Sequence, residues 1–168
     1  DQTKSFLKEV SSFNPYWIEE PVDGENISLL TEIKNTFNMK VVTGEKQSGL
    51  VHFRELIHRN AADIFNPDIS GMGGLIDIIK ISNEASNNGI SISPHCWNSM
   101  SVSASAMLHV CSSISNSEKA EIFPDYINFS KKFCELPFDI IDNKAHINKS
   151  AGLGVVIHED ILLSLIHI

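Results

Sequence analysis

Short apolar runs alternate along this chain with longer stretches whose apolar residues recur every three or four positions. Residues 4–10 open as a helix already under way, and Asn14-Pro15 breaks it. A strand is predicted over 16–20, where Pro21, lacking an N–H to donate, stops the pairing. Residues 26–37 set Ile27, Leu29, Leu30, Ile33 and Phe37 on one helical stripe. The alternation continues with a strand at 39–43, a helix at 50–58 carrying Phe53, Leu56 and Ile57, and a strand at 61–66. Gly71-Met72-Gly73-Gly74 reads as a tight turn opening a helix over 75–87, which Asn88-Gly89 ends. A strand at 90–93, a Ser/Ala-rich helix at 99–114, a polar loop at 115–119 and a strand at 120–123 follow. Beyond about residue 126 the rhythm is lost, apart from a short hairpin over 136–147 and a last apolar strand or helix after Gly152-Leu153-Gly154.

Helices between continuous apolar strands predict a parallel sheet buried on both faces. What selects among such sheets is the polar residue at each strand end. Glu19, Glu45, Asp68 and His95 close successive runs and Glu121 lies in the next, at intervals of 26, 23, 27 and 26 residues. Each interval matches one βα unit of roughly 30 residues. A doubly wound open sheet would concentrate such residues at its switch point. A (β/α) barrel gathers the end of every strand on one face, where its active site lies. The barrel is the better fit, and it turns five distant residues into one polar cluster. A closed barrel needs about 250 residues, whereas this chain has 168 and begins at Asp1. The expectation is therefore an incomplete α/β barrel from the C-terminal part of a longer protein.

The charge balance, 13 Lys+Arg against 21 Asp+Glu for a formal −8, argues against nucleic acid or an anionic membrane as partner. Three cysteines, Cys96, Cys111 and Cys134, form no C-x-x-C pair and make a poor disulfide framework, which fits a reducing cytoplasm. No signal peptide or apolar run long enough to span a bilayer is present. The glycines at 71, 73 and 74 lack the Lys-Ser/Thr of a phosphate-binding P-loop. The other six histidines show no metal-ligand spacing.

Taken in order, Trp17-Ile18-Glu19-Glu20-Pro21, Gly44-Glu45, Pro67-Asp68 with Gly73-Gly74, and Pro94-His95 resemble the enolase superfamily. More narrowly, they resemble the mandelate racemase-like subgroup of its mandelate racemase/muconate-lactonizing branch. The likeness runs over almost the whole chain and includes Gly152-Leu153-Gly154. It implies a (β/α) TIM-like barrel of the enolase C-terminal type, with the N-terminal capping domain and the first barrel strands missing. Residues 1–125 would hold strands 3 to 7 of the family pattern, and 126–168 would close the barrel and return toward the capping domain.

The resemblance also implies roles. Glu19 and Glu45 match the second and third carboxylate ligands of one Mg²⁺, a cation that prefers oxygen donors. The first ligand is expected upstream of residue 1. Asp68 and His95 match a dyad in which the carboxylate fixes the imidazole tautomer and His95 takes the α-proton of a carboxylate substrate. Glu121 matches an acid that hydrogen-bonds the substrate carboxylate, and Asp125 is its possible substitute. Glu20 is expected beside the metal ligands or facing solvent. Trp97 and Asn98, following the base, and Lys46 and Gln47, following Glu45, are substrate-contact candidates that loop packing would explain equally well. Glu45 stands where the lactonizing subgroup tends to carry Asp, and Ile69–Met72 lacks that subgroup's lysine base. The implied activity is Mg²⁺-dependent proton abstraction α to a carboxylate, with dehydration of an acid sugar to a 2-keto-3-deoxy acid as the favoured outcome. Racemisation or epimerisation of a 2-hydroxy acid, and an inert or binding-only homologue, are the alternatives. A small carboxylate substrate is the expected partner, and the full-length protein is expected to be a homo-oligomer.

Overall fold

The four parallel strands that carry the fold lie in sequence order, each hydrogen-bonded to the next. The computed structural model describes residues 2–97 and 99–165. Helix α1 (Gln2–Val10) and a 3₁₀ turn (Ser11–Phe13) lead into β1 (Trp17–Glu19). There follow α2 (Ile27–Thr36), β2 (Lys40–Thr43), α3 (Leu50–His58), β3 (Ile64–Phe65), α4 (Ile69–Met72), α5 (Leu75–Ser86), β4 (Ser91–Ile92) and α6 (Ser101–Ser113). Asn26 starts α2 by accepting from the Leu29 N–H, as an N-cap side chain does. A doubly wound sheet reverses its strand order at a switch point. The unreversed order β1-β2-β3-β4 gives instead an arc of a (β/α) barrel, as the sequence predicts.

Alternation along the strands divides two apolar layers. Val41, Phe65 and Ile92 face the helices and pack with Leu30, Ile33, Phe53, Leu56, Ile78 and Ile81 in the main core. Phe53 meets Phe65 edge-on at 5.2 Å between ring centroids. Fully burying side chains of this size stabilises a fold by about 1.5–3 kcal/mol each. Val42 and Ile64, paired across β2 and β3 and one residue out of step with the first set, face the inside of the arc.

The predicted strand at 120–123 does not form. The fourth parallel contact lies earlier, where Ile92 bridges Ser117, its N–H donating to Asn116 O at 2.9 Å and its carbonyl accepting from Glu118 N at 2.8 Å. The pairing is carried by polar residues, while Ile122 turns its apolar side to the core. Helix α7 (Pro124–Ser130), with proline in its first turn, occupies a stretch that apolar rhythm leaves blank. The tail adds β5 (Cys134–Glu135), β6 (Phe138–Ile141), β7 (Lys144–Ile147), β8 (Val156–Ile157) and α8 (Glu159–Ser164). The predicted hairpin is β6–β7, turned by Asp142 and Asn143, both at positive φ. After Gly154 comes both a short strand and a helix. Among the described residues no helix is long and apolar enough to cross a membrane.

Candidate functional site

Four side chains that follow strand ends, Glu19, Glu45, Asp68 and His95, line one open cavity of about 620 Å³ together with Glu121 and Trp97. A narrower space of about 180 Å³ continues inside the arc between Trp17, Val42, Ser93 and Lys119. The cluster follows from parallel strands all ending on one side, so the residues meet although more than 100 positions separate Glu19 from Glu121.

Asp68 divides its carboxylate between two tasks. Oδ1 accepts from the N–H groups of Ser70 and Gly71 at 2.7 and 3.1 Å, which caps α4 and immobilises the side chain. Oδ2 lies 2.9 Å from His95 Nδ1. The ionised carboxylate only accepts, so Nδ1 carries the proton and Nε2 is the basic nitrogen of the neutral ring. Nε2 faces the cavity, 3.5 Å from Glu45 Oε2. The turn predicted at 71–74 is in fact this capped helix followed by Gly73 and Gly74 at positive φ.

Glu121 is placed by the neighbour of the histidine, since the Cys96 N–H donates to its Oε2 at 2.7 Å. Its loop position, with no strand around it, therefore still faces the site. Burial pushes the Cys96 thiol up to about 11, against an opposing hydrogen bond from Ser99. Cys96 is thus an inert thiol beside the site.

Glu19 is exposed at the rim, yet its carboxyl stands among three other acids. Burial of the carboxyl, followed by the Glu121 and Glu45 charges, raises its pKa above 4.5, while hydrogen bonding to Asn66 and the nearby His95 oppose the rise. Such a crowd of hard oxygens suits a cation. Among the described residues no three His, Cys, Asp or Glu side chains are grouped to hold a metal. The residues present fit Mg²⁺ as a partial set, with two carboxylates on adjacent strands.

Two further residues hold these carboxylates in place. Glu20, expected beside the ligands or in solvent, accepts through Oε1 from Thr43 Oγ1 at 2.8 Å and Gly44 N at 2.9 Å. It clamps the end of β2 from which Glu45 projects. Asn66, which sequence reasoning passed over, donates from Nδ2 to Glu19 Oε1 at 3.0 Å. Its signal was a polar residue at a buried strand end, two positions before Asp68 and on the same face.

The remaining candidates divide. Trp97, 65% exposed, walls the cavity and meets Phe123 edge-on at 5.7 Å. Lys46 is exposed and does not line the cavity. Gln47 is turned away, 4% exposed with its amide packed over Gly24 and Nε2 3.5 Å from Glu25 Oε1. Asn98 lies outside the described residues.

Known proteins resemble this chain in sequence and fold. The family model described as enolase C-terminal domain-like matches residues 1–161. The crystal structure of an enolase from the environmental genome shotgun sequencing of the Sargasso Sea is 96% identical, with a TM-score of 0.96 over 98% of this chain and 44% of its own. An N-succinyl-L-Arg/Lys racemase of Bacillus cereus is 27% identical over 97% of this chain and 43% of its own length. A D-galactonate dehydratase of Klebsiella pneumoniae is 25% identical over 96% and 44% respectively. The chain spans less than half the length of each.

Proposed function

We infer the chemistry of this site from the family to which the chain belongs, the enolase C-terminal domain-like proteins. We propose that the site abstracts the proton α to a carboxylate with the help of Mg²⁺, and that the reaction ends in dehydration of an acid sugar to a 2-keto-3-deoxy acid. The observation that carries this reading is the 2.9 Å contact of Asp68 with His95 Nδ1, which leaves Nε2 as a base facing an acid-lined cavity.

In this reading Glu19 and Glu45 hold Mg²⁺, with a third carboxylate required besides them. When bound, the cation neutralises negative charge as it develops on the substrate carboxylate. The protein's own residues do the rest. His95 Nε2 takes the α-proton while the C–H electron pair moves into the carboxylate, giving an enediolate. Asp68 holds the imidazolium that results. Glu121, its Oε2 pinned by Cys96, stands to donate a proton-bearing Oε1 to the same carboxylate from another side. The β-hydroxyl then leaves as water with the proton returned from His95, and the enol so formed becomes the 2-keto-3-deoxy acid. Trp97 limits access to the cavity. Lys46 and Asn98 remain contact candidates, whereas Gln47 in its buried position serves the loop.

A second outcome, reprotonation to the racemised or epimerised acid, gains weight from the racemase among the relatives. It needs a base on the opposite face of the substrate carbon. Proton NMR in D₂O of the whole protein with Mg²⁺ and a panel of acid sugars and 2-hydroxy acids tests both. Loss of the α-proton with appearance of a 2-keto-3-deoxy product is the expected result, and exchange without elimination establishes the second outcome. Absence of exchange on every acid, with Mg²⁺ bound, contradicts the proposal.

A further inference from the structure

Asn66 closes β3 two residues before Asp68 and is buried to 2% exposure. Its N–H donates to Thr43 O at 3.1 Å, which extends the β2–β3 ladder by one residue. Its side chain then reaches over β2, the strand between β3 and β1, to bond Glu19 at 3.0 Å. Since an ionised Glu19 can only accept, the amide nitrogen faces it and Oδ1 is left buried, with no partner among the described residues. An unpaired buried acceptor is a cost that an apolar side chain of the same size avoids. Packing therefore gives no reason for asparagine at this position, and the bond to Glu19 does.

We propose that Asn66 is a positioning residue that orients the Glu19 carboxylate for the cation. The inference rests on the Mg²⁺ reading above. With Oε1 held by the amide, Oε2 is the oxygen left to ligate, and the carboxylate no longer rotates freely at the open edge of the arc. Pro67, itself buried, joins Asn66 rigidly to Asp68. The end of β3 thus fixes a metal carboxylate through one side chain and the base histidine through another. Residues that orient a ligand from behind commonly account for 10–100-fold in metal affinity.

The test is Mg²⁺ titration of the whole protein, followed by calorimetry, for wild type, Asn66→Leu, Glu19→Gln and the double variant. Leucine keeps the branched skeleton of asparagine and removes both polar atoms, so the metal-free melting temperature is expected to hold. Mg²⁺ binding is expected to weaken about tenfold. In the Glu19→Gln background the same change should have no further effect on Mg²⁺ affinity, because Asn66 acts through Glu19. Wild-type affinity in Asn66→Leu, or an equal loss in both backgrounds, overturns the assignment. An affinity loss that only tracks a lowered melting temperature overturns it too. Should leucine prevent folding, Asn66→Ala carries the same comparison. A wild-type protein that binds no Mg²⁺ defeats the functional reading and this inference together, whereas binding that ignores Asn66 defeats this inference alone.

Discussion

The Cys96 N–H holds Glu121 at 2.7 Å, so the residue after the histidine places an acid from the loop 25 positions further on. A glutamine at 121 can still accept that bond through its amide oxygen, whereas alanine cannot. Glu121→Gln should therefore keep the loop and the melting temperature while slowing α-proton exchange on the order of 10²-fold, the usual effect of losing one group at a developing charge. Glu121→Ala should lose stability as well. Melting curves and exchange rates on both variants separate placement from chemistry, and a full rate in Glu121→Gln would remove Glu121 from the reaction.

Glu19 ties stability to pH and to metal. Its pKa lies above 4.5 in the folded chain, first through burial and then through Glu121 and Glu45. The folded state thus holds this proton more tightly than the unfolded state does. That contribution to stability is complete below about pH 4.5 and is lost as pH rises through the folded pKa. Glu19→Gln does not ionise, so without Mg²⁺ it should melt like wild type in acid and progressively higher than wild type as pH rises. On the proposed Mg²⁺ site, added Mg²⁺ should reverse the order, because a cation held by the folded wild type would stabilise it. Thermal melts over a pH series check this, and a constant difference at every pH would contradict it.

Cys96 gives a second, alkaline dependence. With its thiol raised from 9.0 to about 11, mainly by burial, it contributes stability below about pH 9 that is lost as pH climbs through about 11. Cys96→Ala should flatten that part of the alkaline stability profile. Native protein at pH about 8 should react with iodoacetamide at Cys96 only on unfolding, since the thiolate is the reactive form.

Gly44, between β2 and Glu45, adopts φ 133°, and a Cβ there would meet Phe53 Cε1 at 2.8 Å. Gly44→Ala should cost about 1–3 kcal/mol as overpacking, with backbone strain added. Urea unfolding measures the loss. Because the same turn carries Glu45, Mg²⁺ affinity should fall as well, and unchanged values of both would mean that the Glu20 clamp at Gly44 yields freely.

Much of the fold was legible because apolar spacing is local. Residues 50–58 form the predicted helix without a shift in boundary, and Glu19, Glu45, Asp68 and His95 were legible from strand-end position, with Glu121 from the regular interval after them. The parallel contact at 116–118 was not, because Asn116, Ser117 and Glu118 carry it with backbone groups and leave no apolar trace. Helix α7 is short, and only Pro124 announced it. Asn66 and Glu20 act across strands, on residues 47 and 23 positions away, and such pairings depend on register. Gln47 shows the converse error, where adjacence to Glu45 suggested the cavity but the turn at Gly44 carries its side chain to the opposite side.

The central claim is that His95 is the base, and His95→Asn tests it most directly. Asparagine can still bond Asp68 but offers no basic nitrogen. In the whole protein with Mg²⁺ and an exchanging acid in D₂O, the variant should lose α-proton exchange by about 10³-fold or more while Mg²⁺ affinity stays near wild type. Exchange at the wild-type rate in His95→Asn, with Mg²⁺ bound, would contradict the account.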